Sequence, residues 1–301
     1  MKRIPLILPA IACALLFVSA AFAQVLVVNH ELGKTEVPLN PQRVVVFDFG
    51  ALDTLDKLGV DVLATAKLNL PPYLSKYGAA EYANVGGLTQ PDLEAINELK
   101  PDLILISARQ SAYYPELSRI APTVYAGVNT SDYVESFKVN MTTLGAIFGK
   151  ETEVAEALAE IDAAISRVRL KAAGKTALVA LVTGGTASTY GPGSRYVFIY
   201  DVMGFTPVDR NIVASTHGQN ISWEYILIHD PDYILVIDRD AAVGNAGTSP
   251  AKQVIENALV KETKAYKNGN IVYLDPYYWY LSGGGLVSFA KMIEDIETAL
   301  R

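Results

Sequence analysis

Three arginines, one histidine and a knot of tyrosines are the side chains whose setting suits capture of a charged ligand. Arg109 and Arg239 each follow a short apolar run, 103–107 and 233–237, and Arg195 stands in the loop Tyr190-Gly191-Pro192-Gly193-Ser194-Arg195. A guanidinium stays charged and offers a planar fork of donors. Three of them facing one cleft in an otherwise acidic chain would select an anionic, oxygen-rich ligand. His217 lies in the polar loop Ser215-Thr216-His217-Gly218-Gln219-Asn220, where the neighbouring glycine leaves an imidazole free to project and bind a metal. His30 and His229 read as surface side chains. The segment Asp275-Pro276-Tyr277-Tyr278-Trp279-Tyr280-Leu281 is crowded with aromatics. Its phenols are hard oxygen donors suited to ferric iron, while Trp279 and Tyr280 are also candidates for core.

Spacing ties two of the arginines together. Glu94 stands seven residues before Pro101-Asp102 and Glu224 seven before Pro231-Asp232, and Arg109 and Arg239 then follow their Pro-Asp pairs at equal distance. Each unit reads as a helix, a Pro-Asp turn and a buried strand ending at an arginine, a repeat that implies duplicated lobes. Both strand ends would open on one cleft, because ligands of open α/β sheets collect beyond the carboxyl ends of the strands.

Those units sit in a longer alternation. Strands are expected at 25–29, 43–47, 60–64, 103–107, 123–126, 176–183, 233–237 and 271–274. Helices are expected at 52–58, 93–99, 222–228 and 286–300, an order that predicts an α/β fold with mainly parallel strands. From 151 to 173 the apolar positions Val154, Leu158, Ile161, Ile165, Val168 and Leu170 recur at three- and four-residue steps without Gly or Pro between them. Such a helix, about 34 Å long, suits a strut between lobes. The expected organisation is a signal peptide at 1–23, a lobe at 24–150, a backbone helix at 151–174 and a second lobe at 175–301, with the ligand cleft between the lobes.

Bulk properties narrow the partners. Residues 1–23 combine a basic head, an apolar run and an Ala21-Phe22-Ala23 end, which reads as a cleaved secretory signal. A lipoprotein cut before Cys13, the only cysteine of the 301 residues, would leave an apolar tail and is the weaker reading. Removal of that segment takes Lys2 and Arg3 away and leaves 23 basic against 32 acidic side chains, a balance of −9. Nucleic acid and anionic membrane surfaces are poor partners for such a chain. No G-x-S-x-G elbow, P-loop or dinucleotide fingerprint is present, so an enzyme is not expected.

The repeat, the strut helix, His217-Gly218, Ile106-Ser107-Ala108-Arg109, Gly193-Ser194-Arg195, Val236-Ile237-Asp238-Arg239 and Tyr278-Trp279-Tyr280-Leu281 together resemble one family. They are similar to the periplasmic ferric-siderophore-binding proteins of ATP-driven importers, most of all the enterobactin-type catecholate binders of Campylobacter and Vibrio. The resemblance covers essentially all of 24–301. It implies that His217 and Tyr278 complete the shell of ferric iron held by a tetradentate bis-catecholate, while Arg109, Arg195 and Arg239 contact the catecholate oxygens. Tyr277 and Tyr280 stand close enough to Tyr278 to exchange roles with it. It also implies that Glu94 and Glu224 dock onto basic pockets of a membrane permease, although both acids also suit a helix N-terminus. The expected cargo is therefore Fe(III) as a siderophore complex, with no organic cofactor, carried by a periplasmic monomer that is not inserted in the membrane. A haem or cobalamin binder of the same architecture is the alternative. A bare zinc or manganese site fits less well, because arginines repel a free cation.

Overall fold

The computed structural model describes residues 24–213, 215, 218–245 and 247–300. The segment 1–23, and His217 with its expected metal role, lie outside the described residues. No helix of the described residues is long and apolar enough to cross a membrane.

Two sheets form where continuous apolar runs can be buried on both faces. The first orders its strands as Ala83–Asn84, Ala64–Thr65, Val44–Val46, Leu103–Ile106 and Thr123–Tyr125, all parallel. The second places Thr176–Thr183, Tyr233–Asp238 and Ile271–Leu274 side by side in parallel, then extends through the antiparallel strands Thr186–Thr189 and Gln219–Ile221. Central strands pair identically in the two: Val44 opposite Leu103, and Ala177 opposite Tyr233.

The sequence repeat is a repeat of mechanical parts. Helices Leu93–Leu99 and Trp223–His229 are both seven residues long, and each ends on a left-handed residue, Lys100 at φ 46° and Asp230 at φ 40°. The Pro-Asp turns then do one job twice. Asp102 accepts hydrogen bonds from the backbone of Gln42 and Arg43, both at 2.8 Å, and Asp232 accepts from the backbone and hydroxyl of Thr176 at 2.8 and 2.9 Å. Each carboxylate thus ties the start of its own strand to the start of the neighbouring one.

Helix Glu151–Ala172 separates the sheets in sequence and buries Val154, Ala157, Ile161, Ile165, Val168 and Ala172. Leu170, expected on that apolar stripe, is instead 81% exposed. Helix Glu151–Ala172 packs against helices Tyr133–Phe148 and Leu286–Ala299. One apolar core runs from Leu52 and Leu105 through Ile161 and Ile165 to Val179, Leu235, Phe289 and Met292, so the lobes share an interior.

The last helix joins both lobes, although the expected division gave all of 175–301 to the second. Its first backbone N–H groups donate to a helix of the first lobe, Phe49–Lys57: Leu286 to Thr54 Oγ1 at 3.0 Å, Val287 to Asp53 Oδ1 at 3.2 Å and Ser288 to Asp53 Oδ2 at 3.0 Å. Gly285 allows this approach, since a Cβ there would lie 2.1 Å from Asp53 Oδ1.

Candidate functional site: a cationic cleft between the lobes

The carboxyl ends of the central strands open on a cleft of about 860 Å³ lined from both lobes. Arg109 enters it from the turn Ala108–Tyr113, which begins where strand Leu103–Ile106 ends, and Gln110 braces that turn by accepting from the Ser107 N–H at 3.0 Å. Arg239 opens the short helix Arg239–Ala242 directly after strand Tyr233–Asp238, with Asp238 capping it through Ala241 N at 3.0 Å. Arg195 follows Gly193, whose φ of 76° favours glycine and turns the loop back toward the strand ends.

All three guanidiniums meet at Tyr280. Its carbonyl oxygen accepts from Arg109 Nη2 at 2.9 Å and from Arg195 Nη2 at 2.6 Å, and its hydroxyl oxygen accepts from Arg239 Nε at 2.8 Å. The guanidinium carbons stand 5.9, 4.7 and 5.5 Å from the ring centroid for Arg109, Arg195 and Arg239, within cation–π reach. Arg109 also reaches Leu281 O at 3.3 Å, and Arg239 reaches Thr183 Oγ1 at 3.3 Å. Burial and the neighbouring Arg195 hold the Arg109 pKa below its ordinary value. Burial works against charge on Arg195 too, but Tyr196, Tyr280, Tyr190 and Tyr133 outweigh it and raise that group.

The cleft is not uniformly basic. Asp48, at the end of strand Val44–Val46, lines it beside Ser107 and Arg109 and caps the first-lobe helix through Ala51 N at 2.7 Å. Burial raises its pKa against the pull of that cap, Ser107 and Arg109. Ser188, Tyr190, Asn220 and Tyr125 supply further polar lining. Asp48 and Tyr125 escaped the sequence reading, although both stand at strand ends, where the rule for ligand position would have flagged them.

Tyr278 lies apart from this lining. It occupies the π-helical turn Tyr277–Ser282 two residues before Tyr280, and residues two apart in a helical turn point to nearly opposite sides. Its ring packs 4.7 Å from that of Tyr73, burial raises its pKa, and Tyr280 rather than Tyr278 is the phenol of this segment that lines the cleft. Trp279 between them is core, 1% exposed, stacked on Phe198 and donating from Nε1 to Asp295 at 2.9 Å. Glu94 and Glu224 are both exposed in the first turns of their matching helices.

Two sheets of common order, one long helix and a cleft walled by both lobes define a two-lobed binding protein. The chain belongs to the periplasmic binding protein family, whose model matches residues 44–278. It is 53% identical to the petrobactin-binding protein YclQ of Bacillus subtilis, over 91% of this chain and 87% of that one. The crystal structure of YclQ superposes with a TM-score of 0.89 at 51% identity, covering 92% of this chain and 99% of that one. The ferric-anguibactin-binding protein FatB of Vibrio anguillarum is 36% identical over 90% of this chain and 86% of that one. The periplasmic catecholate-siderophore-binding protein VctP of Vibrio cholerae superposes with a TM-score of 0.87 at 38% identity, covering 91% of this chain and all of that one. Like these relatives, the chain is a binding protein and not an enzyme.

Proposed function

We propose that this protein captures an anionic ferric siderophore of the catecholate kind in the interlobe cleft and hands it to the permease of an ATP-driven importer. The observation that carries the reading is the convergence of Arg109, Arg195 and Arg239 on Tyr280. Three fixed cations in a half-buried cleft of an acidic protein attract a compact polyanion, and their donor forks match paired catecholate oxygens. YclQ, FatB and VctP, named for petrobactin, ferric anguibactin and catecholate siderophores, support the siderophore reading, and VctP supports its catecholate part.

The iron is cargo and arrives inside the ligand. For a tetradentate ligand, two coordination sites would remain open, and the phenol best placed to fill one is that of Tyr280, which takes the role first assigned to Tyr278. His217 is proposed for the other. Ser215, two residues before it, lines the cleft. Glu94 and Glu224 are proposed as docking acids, supported by their exposure and equivalent places in the two lobes. Export by a cleaved signal at 1–23 completes the reading.

Fluorescence titration of the protein against ferric bis-catecholate, ferric tris-catecholate, ferric hydroxamate, ferric citrate, haem and cobalamin tests it. Tightest quenching by the ferric catecholates is the expected result. Preference for a neutral hydroxamate complex, or for haem, would overturn the assignment.

A further inference from the structure

The carbonyl of Tyr280 can hold two guanidiniums only if the turn that carries it is itself held. Ser282 closes that turn by donating from Oγ to Tyr277 O at 2.8 Å. The Tyr73 hydroxyl, from the first lobe, lies 2.7 Å from Ser282 Oγ and 3.2 Å from Asp53 Oδ2. Asp53 and Ser282 are each 1% exposed. Asp53 in turn caps the last helix through Val287 and Ser288.

Counting protons gives the chain a direction. The Ser282 proton goes to Tyr277 O, so Ser282 Oγ must accept from Tyr73. The single Tyr73 proton is then spent, and the contact with Asp53 is a hydrogen bond only when Asp53 carries a proton and donates it. Burial pushes Asp53 up to about 7, consistent with a carboxyl that is often protonated near neutrality. The titratable groups facing it are the phenols of Tyr73, Tyr133 and Tyr278.

We infer that Asp53, Tyr73 and Ser282 are positioning residues for the cleft, a buried relay from the first lobe that fixes the Tyr277–Ser282 turn and so aims Arg109 and Arg195. None of the three lines the cleft. Their effect on a ligand passes through the Tyr280 carbonyl. The consequence for affinity rests on the function proposed above, but the aiming of the arginines does not.

Tyr73→Phe removes one oxygen and keeps the ring on Tyr278. The ligand-free protein is read first, through the ¹H–¹⁵N resonances of the arginine Nε–H groups. Those of Arg109 and Arg195 are expected to shift or broaden, while that of Arg167, bonded to Glu297 at 2.9 Å on the interlobe helix, stays in place. Ser282→Ala is expected to repeat the pattern and serves as the second variant should Tyr73→Phe fold poorly. Unmoved Arg109 and Arg195 resonances overturn the inference whatever the chain binds, and so does movement of all three, which signals general loosening.

Affinity for a ferric bis-catecholate then reads the consequence. Loss of one hydrogen bond corresponds to roughly three- to tenfold weaker binding. In a background with both Arg109→Ala and Arg195→Ala the same Tyr73→Phe change is expected to cost less than twofold, because both guanidiniums that it aims through the Tyr280 carbonyl are gone. Full additivity counts against the relay. A wild-type chain that binds no ferric catecholate removes the functional reading and leaves the resonances to decide the positioning role.

Discussion

Two guanidiniums that share one carbonyl oxygen repel each other, and the repulsion is tolerated here because Arg109 and Arg195 are held at 2.9 and 2.6 Å from Tyr280 O beside aromatic faces. An incoming polyanion relieves that repulsion, so each cation counts for more in the complex than in the empty cleft. Replacement of Arg109, Arg195 or Arg239 by Ala is expected to weaken ferric catecholate binding by about 1.5–3 kcal/mol, or roughly ten- to hundredfold each, measured by fluorescence quenching. Unchanged affinity in all three variants would dismiss the cationic cleft. The phenols separate by spectrum. With a tetradentate ferric catecholate bound, Tyr280→Phe is expected to remove a phenolate-to-iron charge-transfer contribution from the visible band, and Tyr278→Phe to leave the band alone. The opposite pattern returns the role to Tyr278.

Among the elements, the helix Leu286–Ala299 carries the most consequence, because its N-terminus rests on a buried carboxyl of the other lobe. Asp53 has a folded-state pKa of about 7, raised by burial against the hydrogen bonds of Ser288 and Val287. Below about pH 4 both folded and unfolded chains hold that proton and the contribution to stability is complete. As pH climbs toward 7 the unfolded chain releases it first, so stability is lost through that window, by up to about 4 kcal/mol. Asp53→Asn lacks this term. The stability difference between wild type and Asp53→Asn, from denaturant unfolding at pH 4.5, 6 and 7.5, is expected to move against the wild type as pH rises. A constant difference would show that Asp53 does not titrate in this range. Gly285→Ala meets Asp53 Oδ1 at 2.1 Å and Gly50 O at 2.3 Å, both on a packed helix, and is expected to cost about 1–3 kcal/mol in the same assay.

For the whole molecule, the shared core sets the amplitude of motion. An apolar interior continuous from Leu52 through Ile161 to Val179 and Phe289, together with a 22-residue strut, resists the hinge opening that flexible crossing strands allow. Small-angle scattering of ligand-free and loaded protein is expected to show a radius of gyration unchanged within about 1 Å. A contraction of several ångströms would mean that the lobes close as hinged bodies. Docking belongs to the same scale. Glu94→Lys and Glu224→Lys are expected to leave ligand affinity intact and reduce uptake through the permease, a split that a folding defect would not produce.

The repeat, the alternation of strands and helices and the strut helix were legible in the chain because they rest on local chemistry. Apolar runs of four to eight residues, Pro-Asp turns and three- and four-residue apolar spacing act through near neighbours in sequence, and helix Leu93–Leu99 and strand Ile271–Leu274 occur where those patterns put them. Arg109 and Arg239 were legible for the same reason, since a strand end followed at equal distance by an arginine recurs in both units. Which tyrosine faces the cleft was not legible. Tyr277, Tyr278 and Tyr280 are equal in composition, and only the phase of a six-residue π-helical turn, wedged between Trp279 in the core and two guanidiniums on its carbonyl, turns one of them inward. Nor could spacing reveal Asp53, 229 residues before the cleft turn's Ser282 in the chain and joined to it through Tyr73, because that relay exists only after the last helix has crossed back onto the first lobe.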